Sequence, residues 1–366
     1  MGLTYGPQPA WRDLIAGFLG AVADDRSLAA PWTGGRSEAR WYGRSAWALA
    51  DTVADWRRRH GEQMPSFWVP SYFCDNSLQP ARLAGIDVVH YELGEDLNPD
   101  WPALRRAAEQ GRPDIFILVH YFGHPADGAQ ARRFADDTGA LLVEDCAHVL
   151  RPEADIGAHG DVVFFSPHKF LPVPCGAVMT APAISEAPPR RTQSVTPWAV
   201  KRAVQKILPG PLQRSRTRRQ TLAFDEDPAV APAAAGGPGA YAKRAIGAEM
   251  RNAESIGARR RANAAIYRRW LENANDAKPF FDTSAAEGAA PYRFVARCPD
   301  HAGAVKLYGE LRRKGLPAES WPDLAREVAA EPDRFPLANR WRQTLLMLPV
   351  HQSIDADELE RLLRAP

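Results

Sequence analysis

Long apolar runs are missing from the sequence. LIAGFLGAVA at 14–23 is apolar, but it lies between Arg12 and Asp24 and is too short for a bilayer, so it reads as part of an amphipathic N-terminal helix. The first residues show no basic segment followed by a long apolar one, and no secretory leader is expected. Cysteine is scarce. The four present, Cys74, Cys146, Cys175 and Cys298, have neither metal-ligand spacing nor a paired framework, which argues against a zinc module or a disulfide scaffold and fits reduced thiols in a cytoplasm. An excess of one charge is absent too: 46 Lys and Arg face 44 Asp and Glu, so a chain-wide polyanion-binding role is disfavoured. With 366 residues, 45% of them apolar, a folded protein of two domains is expected.

What is present is a set of short β-branched and aromatic runs. IFILVHY at 115–121, LLVED at 141–145 and DVVFFSPHK at 161–169 are separated by helix-length polar stretches, as in parallel strands covered on both faces. Ligands of open α/β sheets collect beyond the carboxyl ends of such strands. The residues at those ends are His120, Asp145, His148, Ser166, His168 and Lys169. An acid, a hydroxyl and an amine delivered to one sheet edge match the needs of pyridoxal 5'-phosphate: a lysine for the Schiff base, a carboxylate to keep the pyridine nitrogen protonated, and donors for the phosphate. Lys169 can be the first, Asp145 the second and Ser166 part of the third, and Lys169 can then move the substrate proton. Taken singly, Asp145 could be a helix cap, Lys169 a surface charge and Ser166 a turn residue. Their order on consecutive strands, with 24 residues between acid and amine, favours the joint reading.

VHYFGHPAD at 119–127, VEDCAHV at 143–149, GDVVFFSPHKF at 160–170 and CGAVMT at 175–180 resemble the DegT/DnrJ/StrS family of sugar aminotransferases, which has the aspartate-aminotransferase fold. The resemblance spans roughly 40–366 and implies that Asp145 pairs with the pyridine nitrogen, that His148 lies near the cofactor's ring oxygen, that Ser166 touches the phosphate and that Lys169 forms the imine. It departs in two places. The family commonly has two more residues between the serine and the lysine, and a Gly-Gly pair where this chain has Cys175-Gly176. A dehydratase branch replaces the lysine by histidine; Lys169 is retained here beside His168.

Other segments are read in this frame. Gly43, Arg44, Ser45 and Ala46 open a helix over 44–58, where free N–H groups, a hydroxyl and a guanidinium suit a phosphate; ordinary capping by Ser45 is the alternative. After the strand FWVP at 67–70, Tyr72 and Phe73 are candidates to stack on the cofactor ring, although the family's aromatic position falls nearer Cys74. Asp75 is expected to cap the next helix. His120 either lines the site or packs in the core. Residues 181–240 hold prolines, alanines and glycines, with a basic run of Lys201, Arg202, Lys206, Arg214, Arg216, Arg218 and Arg219 that reads as a solvated face or as a contact for a diphosphate-bearing substrate. Interleaved aromatics are lacking, so no nucleic-acid partner is expected, nor a membrane. A helix over 241–272 resembles the family's link to its small domain, with Arg259, Arg260 and Arg261 on the solvated side. His351 either approaches the site or is structural.

The expected fold class is α/β: a doubly wound, mostly parallel sheet in a large cofactor domain, 1–240, and a linking helix with a smaller α/β domain, 241–366. Metal is not expected. The resemblance implies a homodimeric, ping-pong aminotransferase taking its amino group from glutamate and acting on a nucleotide-linked keto sugar, in polysaccharide, antibiotic or glycan biosynthesis. Other pyridoxal-phosphate chemistry on a non-sugar metabolite, or a non-catalytic regulatory member of the fold, stays open.

Overall fold

The computed structural model describes residues 3–19, 21–36, 38–153, 155–182, 192, 194–207, 236–274, 277–281, 289–321 and 323–364. The strands are β1 (Glu38–Tyr42), β2 (Ser66–Pro70), β3 (Asp87–Tyr91), β4 (Ile115–Val119), β5 (Leu141–Cys146), β6 (Val162–Phe165), β7 (Ala177–Ala181), β8 (Lys278–Pro279), β9 (Arg293–Arg297) and β10 (Leu345–Pro349). A seven-stranded sheet runs in the order β1-β7-β6-β5-β4-β2-β3, and a second sheet in the order β10-β9-β8. Every residue of β4, β6 and β7 is buried, as the continuous apolar runs require of strands covered on both faces.

From β3 through β2, β4 and β5 to β6 every pairing is parallel. β7 runs antiparallel to both β6 and β1. The link between β6 and β7 has no crossover helix, so the chain can only double back. β1, which the sequence reading treated as an approach to a helix, pairs along its length with β7 and closes that edge. Strand order reverses between β2 and β4, which makes the space beyond their carboxyl ends the natural crevice of the sheet.

Caps set the helix ends. Asp100, Asp127 and Asp300 accept N–H bonds from Ala103, Gln130 and Gly303, each satisfying an otherwise orphaned donor. Asp75 does not cap. Cys74 holds the cap position of Asp75–Ala84, and the buried Asp75 carboxylate turns to Gln79 and Arg82 instead. The helix expected over 241–272 is two helices, Ala240–Met250 and Ala253–Ala274, separated where Asn252 N–H bonds the Glu249 carbonyl. The N-terminal helix is Trp11–Ala16, earlier and shorter than the 14–23 run.

One apolar cluster joins β2, β4 and β5 to Trp321, Trp341, Leu345 and Met347, so the two sheets share a core. A second gathers Trp32, Trp41, Phe165, Phe170, Tyr241 and Ile246 behind β6 and β7.

Candidate active site

Asp145 stands opposite Phe164 in the parallel pairing of β5 with β6, and Ser166 and Lys169 follow at the end of β6. One strand pair thus brings acid, hydroxyl and amine to one edge. The tighter bend expected before the lysine is a 3-10 turn, Pro167–Lys169. Asp145 is 7% exposed; Oδ1 accepts the Ala147 N–H at 2.8 Å. Burial raises its carboxyl pKa, while the positive charge of Lys169 and the Ala147 N–H oppose the rise. Ser166 is fully buried, yet its Oγ has no hydrogen-bond partner. An orphaned buried hydroxyl is costly unless something occupies it.

The segment 43–46 lies beside this edge. Gly176 N–H bonds the Gly43 carbonyl at 3.1 Å, and the Gly176 carbonyl accepts the His168 N–H at 3.3 Å. Ser45 has helical dihedrals and makes no side-chain cap bond to Ala46–Arg59, so ordinary capping does not explain it. The half-buried Arg44 donates to the carbonyls of Gly43 and Pro174, and burial lowers its pKa. The orphaned Ser166 hydroxyl, a Ser45 hydroxyl that caps nothing, a helix N-terminus, a buried carboxylate and an amine together suit pyridoxal phosphate as a donor set.

His148 accepts the Phe122 N–H on Nδ1 at 3.2 Å and stacks on Tyr292 at 4.5 Å. Burial, with the charges of Lys169 and Arg293, pushes its pKa well down. The ring is therefore neutral, with its proton on Nε2, ready to donate. Phe122 holds this arrangement at the expense of strain: its φ is 57°, a rare backbone for an aromatic residue, and its carbonyl accepts the Tyr292 N–H. Tyr72 and Phe73 are both buried, Tyr72 stacking on Trp321 at 4.5 Å. Of the three candidates at that strand end, only Cys74 is left partly exposed; its thiol bonds Asp323 at 2.9 Å and lies within the field of Lys169.

Two histidines are structural. His120 is buried against Glu144 at 2.7 Å and takes the Ala126 N–H on its other nitrogen; Glu144 in turn accepts N–H groups of Gly157, His159 and Gly160. The nearby group His120, Glu144 and Cys146 therefore has its imidazole and carboxylate already engaged. His351 binds the Thr4 carbonyl at 2.7 Å.

Arg260 corrects the sequence reading. Expected on a solvated face, it is fully buried and donates to the carbonyls of Phe170, Pro291 and Tyr292, its guanidinium 4.5 Å from the Phe170 ring. Burial pushes its pKa down to about 9. Gln352 also donates to the Phe170 carbonyl at 2.9 Å. Two residues remote in sequence thus grip the backbone next to Lys169. Tyr292, whose ring centre is 5.7 Å from Lys169 Nζ, and Trp321 were likewise missed. The helical arginine triplet looks the same whichever way it faces, and only packing distinguishes Arg260 from the exposed Arg259. Of the basic run, Arg214, Arg216, Arg218 and Arg219, and most of 229–239, lie outside the described residues.

Solved structures share this fold across nearly the whole chain. Aminotransferase TlmJ from Streptoalloteichus hindustanus superposes with a TM-score of 0.71 at 18% identity, covering 99% of this chain and 97% of that one. Helicobacter pylori PseC, an aminotransferase involved in the biosynthesis of pseudoaminic acid, gives 0.70 at 12% identity, covering 99% and 97%. Local sequence similarity reaches serine hydroxymethyltransferases. That of Archaeoglobus fulgidus is 32% identical over 96 residues, 25% of this chain and 22% of that one; that of Methanobrevibacter smithii is 26% identical over 132 residues, 33% and 31%. The matches span less than a third of those enzymes' length. Residues 69–180, which hold β3 to β6, Asp145, His148, Ser166 and Lys169, match the model of the DegT/DnrJ/EryC1/StrS aminotransferase family.

Proposed function

We propose that this protein is a pyridoxal-phosphate-dependent aminotransferase that moves an amino group from glutamate to a nucleotide-linked keto sugar, donor and acceptor taking turns at one site. The reading rests on one observation: Lys169 and the buried Asp145 stand at the ends of paired parallel strands beside an unpartnered Ser166 hydroxyl. When bound, pyridoxal phosphate supplies an aldehyde for an amine and a protonated pyridine ring that draws in the electron pair left by a departing proton. Asp145 holds the proton on the ring nitrogen, and its own ionised form is favoured by Lys169 and the Ala147 N–H. His148 donates from Nε2 to the ring oxygen. Arg44, Ser45 and Ser166 would bind the phosphate, and Tyr72, stacked on Trp321, or Phe73 would back the ring. The Lys169 amine would be the base that carries the substrate proton between carbons. Residues 1–240 serve as the cofactor domain and 241–366 as link and small domain, in a homodimer.

The serine hydroxymethyltransferase segments favour a second reading, pyridoxal-phosphate chemistry on an amino acid such as serine. One experiment separates them. Purified protein is loaded with pyridoxal phosphate, and glutamate with a panel of nucleotide-linked keto sugars is compared with serine alone, products being weighed by mass spectrometry. An aminated sugar nucleotide supports the proposal; consumption of serine with no aminated sugar supports the second reading. Borohydride trapping is expected to add the cofactor's mass to the Lys169 peptide, and trapping elsewhere would defeat both.

A further inference from the structure

Three segments far apart in sequence close a loop of contacts beside Lys169. The Phe122 N–H bonds His148 Nδ1 at 3.2 Å, the Phe122 carbonyl accepts the Tyr292 N–H at 2.8 Å, and the Tyr292 ring lies along the imidazole, with centres 4.5 Å and planes 14° apart. The Phe122 ring also stacks on His148, at 5.5 Å, and Trp321 meets it edge-on at 6.1 Å. Arg293, the first residue of β9, sets its guanidinium 4.3 Å from the Tyr292 ring centre. Aromatic faces attract such a cation, and more strongly where water is excluded; the Arg293 side chain is only 6% exposed, with Glu319 at 3.6 Å as its counter-charge. Burying a guanidinium and a carboxylate is costly, and apolar side chains of similar volume often stabilise a core at least as well. The charge therefore calls for an electrostatic role.

His148 is where that charge acts. Burial first, then the positive charges of Lys169 and Arg293, disfavour a proton on its imidazole. The nearby acids Asp145 and Glu319 act on Lys169 and Arg293, and Arg260 and His351 lie in the field of Arg293 as well. An uncharged imidazole has one acceptor and one donor nitrogen. While Nδ1 is free of a proton it takes the Phe122 N–H. Protonation there would set two donors against each other and orphan the amide of a residue whose backbone is already strained, at φ 57°. Two restraints then fix the imidazole: the Phe122 N–H at its edge and the Tyr292 ring on its face. Together they leave the Nε2–H a single direction.

We propose that Tyr292 and Arg293 are positioning residues for His148: the Tyr292 ring sets the plane of the imidazole, and the guanidinium over that ring keeps Nδ1 an acceptor, so that the Nε2–H is held toward the cofactor's ring oxygen. This rests on the pyridoxal phosphate site proposed above. Two measurements on the full chain test it. The first is a pH titration of the His148 ring nitrogens by nuclear magnetic resonance, without cofactor. Arg293→Gln, and Arg293→Met combined with Glu319→Gln, should each raise the pH at which His148 protonates by about one unit, a ten-fold change in that equilibrium, whereas Arg293→Lys should keep it low. The second is absorbance titration with pyridoxal phosphate. Tyr292→Leu should weaken binding roughly 3- to 10-fold through loss of the stacked pair, and Tyr292→Phe, which keeps the ring, should recover it. An unshifted His148 titration in the variants that remove the Arg293 charge would overturn the proposal. So would undiminished binding by Tyr292→Leu, or an equal loss in Tyr292→Phe. Failure of the unaltered protein to bind pyridoxal phosphate would instead sink the proposed function, and the titration without cofactor would still decide the part played by Arg293.

Discussion

The chemistry of the site turns on how burial and charge are balanced at single residues. Burial raises the Asp145 carboxyl pKa, so its charge opposes folding at neutral pH unless something answers it. Asp145→Asn should leave the cofactor-free protein at least as stable, while weakening pyridoxal phosphate binding by roughly 10- to 100-fold through loss of a charge-assisted hydrogen bond; absorbance titration and thermal melts read the two effects separately. His351 makes an independent pH prediction. Its pKa is pushed down to about 3 by burial, so between that value and about 6.5, the ordinary histidine value, the unfolded chain binds a proton that the native one does not. The stability contributed by neutral His351 is therefore complete above the unfolded value and is lost as pH falls through the folded one. Urea unfolding of the protein and of His351→Asn should show their difference shrinking by about 1.4 kcal/mol per pH unit as pH falls from about 6 to 4.

At the scale of elements, the question is what holds the short turn that carries Lys169. Phe170 and Leu171 N–H groups both bond the Pro167 carbonyl, while Arg260 and Gln352 hold the Phe170 carbonyl from the other side. Arg260→Met should destabilise the protein by about 2–4 kcal/mol, because buried carbonyls lose their donor, and should speed hydrogen exchange at the Phe170 and Leu171 amides. Arg260→Lys should recover only part of this, since a compact ammonium does not reproduce the planar spread of donors with which the guanidinium reaches its separate acceptors. Unchanged exchange would show that the turn stands by itself. Gly123 is a second junction: its φ is 92°, and an added Cβ would lie 2.8 Å from the Ala290 carbonyl and 3.1 Å from that of His148. Gly123→Ala should cost about 2 kcal/mol or more, measurable by urea denaturation.

At the scale of the whole molecule, the two sheets are fused by Trp321 and Trp341, which pack with Tyr72 and Tyr121 over the carboxyl ends of β2 and β4. Trp321→Ala should cost about 3–5 kcal/mol and lower the midpoints of fluorescence and circular dichroism together; separate transitions would mean that the sheets unfold independently. Legibility follows the same division. β4, β5 and β6 could be read because strands buried on both faces leave an uninterrupted apolar run, and Asp145, Ser166 and Lys169 could be read because they close those runs. β1 was not read, since Glu38–Tyr42 mixes polar and apolar residues and its burial is supplied by β7, far away in sequence. Asp75 looked like a cap because an acid before a helix usually is one, but Asp323 had already taken the nearby Asn76 N–H.

The sequence by itself determined the parallel strands and the order in which acid, hydroxyl and amine reach one sheet edge, because each depends on local periodicity and on neighbours a few residues away. The tertiary structure alone decided that Arg260 and Gln352 grip the lysine turn and that His120 and His351 are structural. Those outcomes depend on contacts between segments from about 24 to 347 residues apart, whose pairing is set by packing rather than by any pattern along the chain.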